Sequence, residues 1–203
     1  MPVFTKNEER ILFVHIPKTG GSSIEQHLRY HGWNETHRRG GGVRAIHATW
    51  KEYEKWGDFN YRFTMIRDPL ERFRSSILHL SKDNSAQMKI WRYFGSPEHW
   101  DISEQRLEEF IDRIKKNPEW LGNHVRPQSD FLKTNEKVKI FRYPESMTQV
   151  PLALNAMFDV PISRSGHGMQ HLKKSIPESK PVFTKAQEEI IKQYYKKDYK
   201  RFF

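Results

Sequence analysis

Residues 11–28 read ILFVHIPKTGGSSIEQHL, and this stretch decides the fold. Ile11 to Ile16 is an apolar run of the kind that forms a buried strand. It ends at Pro17-Lys18-Thr19-Gly20-Gly21-Ser22-Ser23, and a helical pattern begins at about Ser22. Strand, turn and helix in that order build an anion site from main chain. Gly20 and Gly21 permit a tight turn and let N–H groups approach a ligand closely. The helix start presents unpaired N–H groups and its positive dipole end to the same point. Lys18 adds a mobile charge, and Thr19, Ser22 and Ser23 add hydroxyl donors. The plainer reading of the same residues is a strand–turn–helix with an exposed lysine.

The loop is not a Walker A motif, which needs a lysine after its last glycine and a Ser/Thr after that lysine. Here Lys18 precedes the glycines. An ordinary ATPase or GTPase is disfavoured, although the physics of cradling a phosphate is shared.

Outward from this stretch, two more strands and several helices alternate. Tyr61 to Ile66, YRFTMI, reads as a strand that ends at Arg67-Asp68-Pro69. Asp68 suits an N-cap, Pro69 the first helical position and Glu71 the reciprocal place of a capping box. Leu70, Phe73, Ile77 and Leu80 then line one helical face. Asp101 to Lys116 predicts a further helix, capped by Asp101 and Glu104. Val138 to Tyr143 predicts a third strand, and Met147 to Phe158 a helix whose regular part starts after Pro151. Thr184 and Gln187 cap a last helix, with Lys196 and Lys197 near its end, where the dipole favours cations. Asn34 to Arg44 reads as a polar, glycine-rich loop. The alternation predicts an α/β fold with a mainly parallel sheet, whose ligands sit outside the carboxyl ends of the strands.

Composition bounds the function. The 203 residues suit a single domain, residues 1–203, with a sizeable core. No apolar run nears the roughly 20 residues that span a membrane, and MPVFTKNEER lacks the apolar core of a secretion signal. The chain has no cysteine, which excludes disulfides and thiolate metal sites and makes a reducing cytoplasm the expected compartment. The net charge of +10 fits an anionic cofactor, an acidic substrate or a polyanion. Scattered tryptophans show no nucleic-acid signature, so nucleic acid is disfavoured. Oligomeric state is not legible.

Arg67 leaves the second strand on the same sheet edge as the Lys18 loop, and Ser75 follows two helical turns later. A guanidinium offers forked donors to a phosphate and a serine hydroxyl offers one more. By themselves these residues read as a partner for Asp68 or Glu71 and a small packing residue. Beside the Lys18 loop they suggest a ligand with two separated phosphates.

FVHIPKTGGSSI and FTMIRDPLERFRSSI together resemble the two cofactor-binding segments of the sulfotransferase superfamily. The branch containing carbohydrate sulfotransferases, among them heparan sulfate 2-O- and chondroitin-type enzymes, is most similar. Residues 45–50, with IHAT at the centre, resemble that branch's Gly-His-x-Ser/Thr segment. NHVRPQSDFL resembles its His-x-x-Pro-Gln stretch, and YYKKDYKRF its Tyr-x-x-Asp-x-x-x-Phe ending. The resemblance implies a P-loop-NTPase-like fold with helices flanking a mainly parallel sheet. It also implies 3′-phosphoadenosine-5′-phosphosulfate as cofactor, 3′-phosphoadenosine-5′-phosphate as product, and no metal. Carried over by position, Lys18, Thr19, Gly20, Gly21, Ser22 and Ser23 hold the 5′-phosphosulfate, and Arg67 and Ser75 the 3′-phosphate. Lys173, Lys174 and Ser175 close over the nucleotide. The resemblance makes His47 the catalytic base among ten histidines, with Lys18 as charge stabiliser. His15 shapes the loop. His124, the second base candidate, joins Arg126 and Gln128 on the substrate side. The expected acceptor is a hydroxyl, or an amine, of a carbohydrate or other small molecule. Two rival readings are a kinase with a variant phosphate loop and a non-catalytic polyanion-binding module.

Overall fold

The computed structural model describes residues 2–36, 47–162 and 180–203. In chain order the elements begin with β1 (Val3–Lys6), β2 (Glu9–Val14), α1 (Gly21–Tyr30), β3 (Asn34–Thr36), α2 (Trp50–Tyr53) and β4 (Tyr61–Ile66). They continue with α3 (Pro69–Ser81), α4 (Gln87–Phe94), β5 (Gly95–Ser96), β6 (His99–Trp100), α5 (Glu104–Lys116) and a short 3-10 turn (Gln128–Phe131). Last come β7 (Lys139–Arg142), α6 (Ser146–Phe158), α7 (Lys185–Tyr194) and α8 (Lys196–Phe202). The chain divides into two compact units, Met1–Arg67 with Asp130–Lys173 and Asp68–Ser129 with Lys174–Phe203. Neither is a continuous stretch, so no single linker separates two sequence domains.

The first unit carries a five-stranded sheet in the order β3-β1-β2-β4-β7. β2, β4 and β7 are parallel, with Val14 opposite Thr64 and Ile66 opposite Arg142. β1 is antiparallel to both β2 and β3. The expected mainly parallel sheet is therefore corrected to a mixed one. The cause is an N-terminal hairpin: Lys6 pairs with Glu9, and Asn7 turns the chain at φ +53, a left-handed conformation that asparagine tolerates. VFTK is too short for its alternation to stand out. Asn34–Thr36, expected as loop, pairs with β1 at the sheet edge.

Residues two apart on a strand share a face, and here that face is aromatic. Phe4, Ile11, Phe13, Phe63, Met65 and Phe141 pack against Ile24 and Leu28 of α1 and Met147, Val150 and Leu154 of α6. Phe13 stacks on Phe63 with ring centroids 4.7 Å apart. The α6 helix runs through Pro151, which is buried, rather than starting after it.

His27, in the last turn of α1, has its pKa lowered to about 4 by burial and by the neighbouring His31. Its Nε2 is buried without a hydrogen-bond partner. The unfolded chain takes up this proton near pH 6.5, whereas the folded chain resists it until about pH 4. Stability should therefore be full above about pH 6.5 and be lost as the pH falls from there toward 4. Thermal midpoints measured across that window should fall more steeply for the native chain than for His27→Gln. Parallel curves would contradict this assignment.

The second unit is helical. Leu70, Phe73, Ile77 and Leu80 of α3 meet Ile90 and Phe94 of α4, the Leu107, Phe110, Ile111 and Ile114 stripe of α5, and Ile191 and Tyr195. Residues 83–100 thus contribute a helix and a small hairpin to this unit. Asp68 caps α3 by accepting from the Glu71 amide at 2.9 Å. Thr184 and Gln187 form the expected capping box of α7, worth about 1 kcal/mol. The α5 start is corrected: Ser103 caps it by accepting from the Arg106 amide, while Asp101 pairs with the Arg106 guanidinium at 2.6 Å. Lys196 and Lys197 open α8 instead of closing α7. Between the two helices the fully buried Tyr195 breaks the helical backbone, and its hydroxyl donates to the Val125 carbonyl at 2.6 Å.

Candidate anion-binding and proton-transfer site

The site in the first unit grows from the carboxyl edge of β2. The ladder ends at Val14, two residues before the expected Ile16, because the chain is already turning. Ile16 N–H donates to Val14 O at 3.1 Å and the Thr19 hydroxyl to Ile16 O at 2.9 Å. Thr19 is fully buried; its hydroxyl is committed to the turn, which leaves its main chain as the group it brings to a ligand. Lys18 sits at φ +68 and Gly20 at φ +92. The first is a strained conformation for a side-chain-bearing residue, of the kind that collects at functional sites. The second needs glycine twice over, since a Cβ there would also lie 3.0 Å from Met147 Sδ and 3.3 Å from Met65 Cε.

Helix α1 begins at Gly21 with Gly20 as N-cap and no side-chain capping bond. Its first turn holds no acidic residue, so no carboxylate of that turn competes for the positive end of the helix. Ser22 is exposed and Ser23 buried at the helix start. Arg67, one residue past β4, donates from Nη1 to the Lys18 carbonyl at 3.3 Å, and its guanidinium lies 4.8 Å from the Tyr143 ring centroid. The parallel pairing of β2, β4 and β7 thus brings two cationic residues and a helix N-terminus to one edge of the sheet. A phosphate or sulfate fits this arrangement.

Two histidines adjoin the loop. The His15 ring covers Gly21 so closely that a Cβ on Gly21 would overlap it. The same ring stacks on Phe13 at 5.3 Å and meets the His47 ring edge-on at 4.9 Å. His47 is 7 % exposed, and its Nδ1 lies 3.2 Å from the His15 carbonyl. A carbonyl only accepts, so Nδ1 carries the proton and the neutral ring has a bare Nε2, the state a general base needs. His15 Nδ1 in turn bonds the buried Glu25 carboxylate. The sequence reading missed Glu25. The available signal was a carboxylate directly beside Ile24, on the face that α1 buries.

The other expected residues lie in the helical unit. Ser75 is buried on α3. The segment with His124, Arg126 and Gln128 is held by its main chain. The fully buried Arg72 donates to the His124 and Arg126 carbonyls, and Ser76 also donates to the His124 carbonyl. The buried Asp198 carboxylate accepts the Gln128 and Ser129 amides at 2.7 and 2.8 Å. Gln128 itself is fully buried. His124 donates from Nδ1 to the Leu121 carbonyl at 3.0 Å and stacks on His79. Lys173, Lys174 and Ser175 lie outside the described residues.

Among the described residues no helix is long and apolar enough to cross a membrane, and no group of three or more His, Asp or Glu could hold a metal ion. The family model for the sulfotransferase family matches residues 1–203. No curated protein and no solved structure shows significant similarity to the chain.

Proposed function

The chain belongs to the sulfotransferase family, whose members transfer sulfate, and from that membership we propose that its donor is 3′-phosphoadenosine-5′-phosphosulfate. The proposed acceptor is a hydroxyl, or an amine, on a carbohydrate or other small molecule. We take residues 1–203 as one sulfotransferase-like domain built from the two units. The absence of cysteine agrees with a reducing, cytoplasmic setting.

One observation carries the reading. Lys18 and Arg67 meet at a helix start that has no acidic residue in its first turn. These residues fit the nucleotide's anions: Lys18 and the main chain of Thr19, Gly20, Gly21 and Ser22 suit the 5′ end, and Arg67 suits the 3′-phosphate. When bound, the nucleotide supplies an activated sulfuryl group. The chain supplies position and charge, which do most of the work in related group transfers. Lys18 holds a positive charge where negative charge grows. His47, oriented through Nδ1, accepts the acceptor's proton at Nε2.

An acceptor screen with radiolabelled sulfate donor tests the activity, and Arg67→Ala tests the nucleotide assignment. The substitution should weaken 3′-phosphoadenosine-5′-phosphate about 10- to 100-fold, the worth of a charge-assisted hydrogen bond. It should barely change adenosine-5′-phosphate. Equal losses for both nucleotides would remove Arg67 from the 3′ end. A triphosphate bound more tightly than either, and only with Mg²⁺, would favour the kinase reading.

A further inference from the structure

Glu25 is an expensive residue where it stands. It is 3 % exposed inside α1, between core-facing Ile24 and Leu28, where a buried carboxylate costs stability unless it is paired. It pairs with His15 Nδ1 and, at 3.8 Å, with Arg29. His15 touches two parts of the site at once. Its ring lies on Gly21, where the loop becomes α1, and against the edge of the His47 ring. Its carbonyl accepts a hydrogen bond from His47 Nδ1. Phe13 stacks on the same ring.

We propose that Glu25 is a positioning residue for proton transfer: its carboxylate fixes the His15 ring, and the fixed ring holds the His47 ring, whose Nδ1 bonds the His15 carbonyl, in one orientation. This inference rests on the assignment of His47 as base. An apolar residue at position 25 would serve packing as well and leave the His15 ring held by its ring contacts alone, without a partner to fix Nδ1. A less firmly held ring would loosen the edge contact that His47 uses. The loop is a different matter, because Gly20, next to Gly21, is also crowded by the Met147, Met65 and Tyr143 side chains. The nucleotide cradle should therefore survive the loss of Glu25 better than His47's orientation does.

Glu25→Ala and Glu25→Gln test this with three readouts: kcat with radiolabelled donor, the Kd of 3′-phosphoadenosine-5′-phosphate, and imidazole nitrogen NMR of His47. Glu25→Ala should lower kcat about 10- to 100-fold, the usual cost of removing an outer-shell partner, with Kd changed less than about threefold. His47 should lose its single Nδ1-protonated form and show both tautomers. Glu25→Gln keeps an acceptor oxygen for His15 and should recover part of kcat, staying at least about threefold below the native chain. If the alanine variant fails to fold, the glutamine variant carries the test alone. Native kcat in Glu25→Gln, an equal fall of kcat and affinity in Glu25→Ala, or an unchanged His47 spectrum in both would overturn the proposal. Full activity in His47→Ala would instead sink the base assignment, while the spectrum would still report whether Glu25 positions His47.

Discussion

Lys18→Ala is expected to lower turnover about 1000-fold, the upper end of what removing one preorganised electrostatic group costs. It should also weaken 3′-phosphoadenosine-5′-phosphate about 10- to 100-fold. The two losses separate because the side chain serves the ground state and, more strongly, the charge that grows as the sulfuryl group departs. The fold should barely notice. The Lys18 main chain is at φ +68, where alanine carries the same strain as lysine, and the Lys18 carbonyl that accepts from Arg67 remains. Lys18→Gly is the sharper control, since glycine relieves the strain. That variant should melt no lower than the native chain and be as inactive as the alanine variant. Radiolabelled transfer, nucleotide calorimetry and thermal melts measure the three quantities. Turnover within tenfold of native in either variant would remove Lys18 from the chemistry.

His47→Ala is expected to lower turnover about 100- to 10,000-fold, the span of a lost general base, while nucleotide affinity stays within about threefold. The different signature follows from geometry. Lys18 belongs to the loop, whereas His47 reaches the site from outside it and bonds the His15 carbonyl through Nδ1. His124→Ala makes the comparison decisive, because His124 also donates from Nδ1 to a carbonyl and so also has a bare Nε2 when neutral. A loss confined to His124→Ala would move the base to that residue. A loss of nucleotide affinity equal to the loss of turnover in His47→Ala would make His47 a binding residue.

Much of the scaffold was legible because local rules and tertiary packing agree. Tyr61–Ile66 forms the strand that its apolar, aromatic run predicts, and Asp68 and Thr184 cap helices as their sequence contexts predict. Reading failed where local preference was outvoted. Pro151 sits inside α6, and Tyr195, whose hydroxyl bonds the Val125 carbonyl, divides α7 from α8. The VFTK strand was too short to announce itself, and it turned a mainly parallel expectation into a mixed sheet.

The site divides the same way. By itself the sequence determined a glycine turn between a strand and a helix, with Lys18 inside it and Arg67 at the end of a second strand. Those are consequences of local chemistry: glycines where φ is positive, apolar runs where strands are buried, and cations where a chain leaves the sheet. Only the tertiary structure decided that Arg67 touches the Lys18 carbonyl, that the Thr19 hydroxyl is spent on the turn, and that His47 hangs from His15. It alone revealed Glu25 behind His15. Such pairings depend on which strands neighbour each other and on which face of α1 meets the sheet. Both are set by burying the whole aromatic core at once, so no short stretch of sequence contains them.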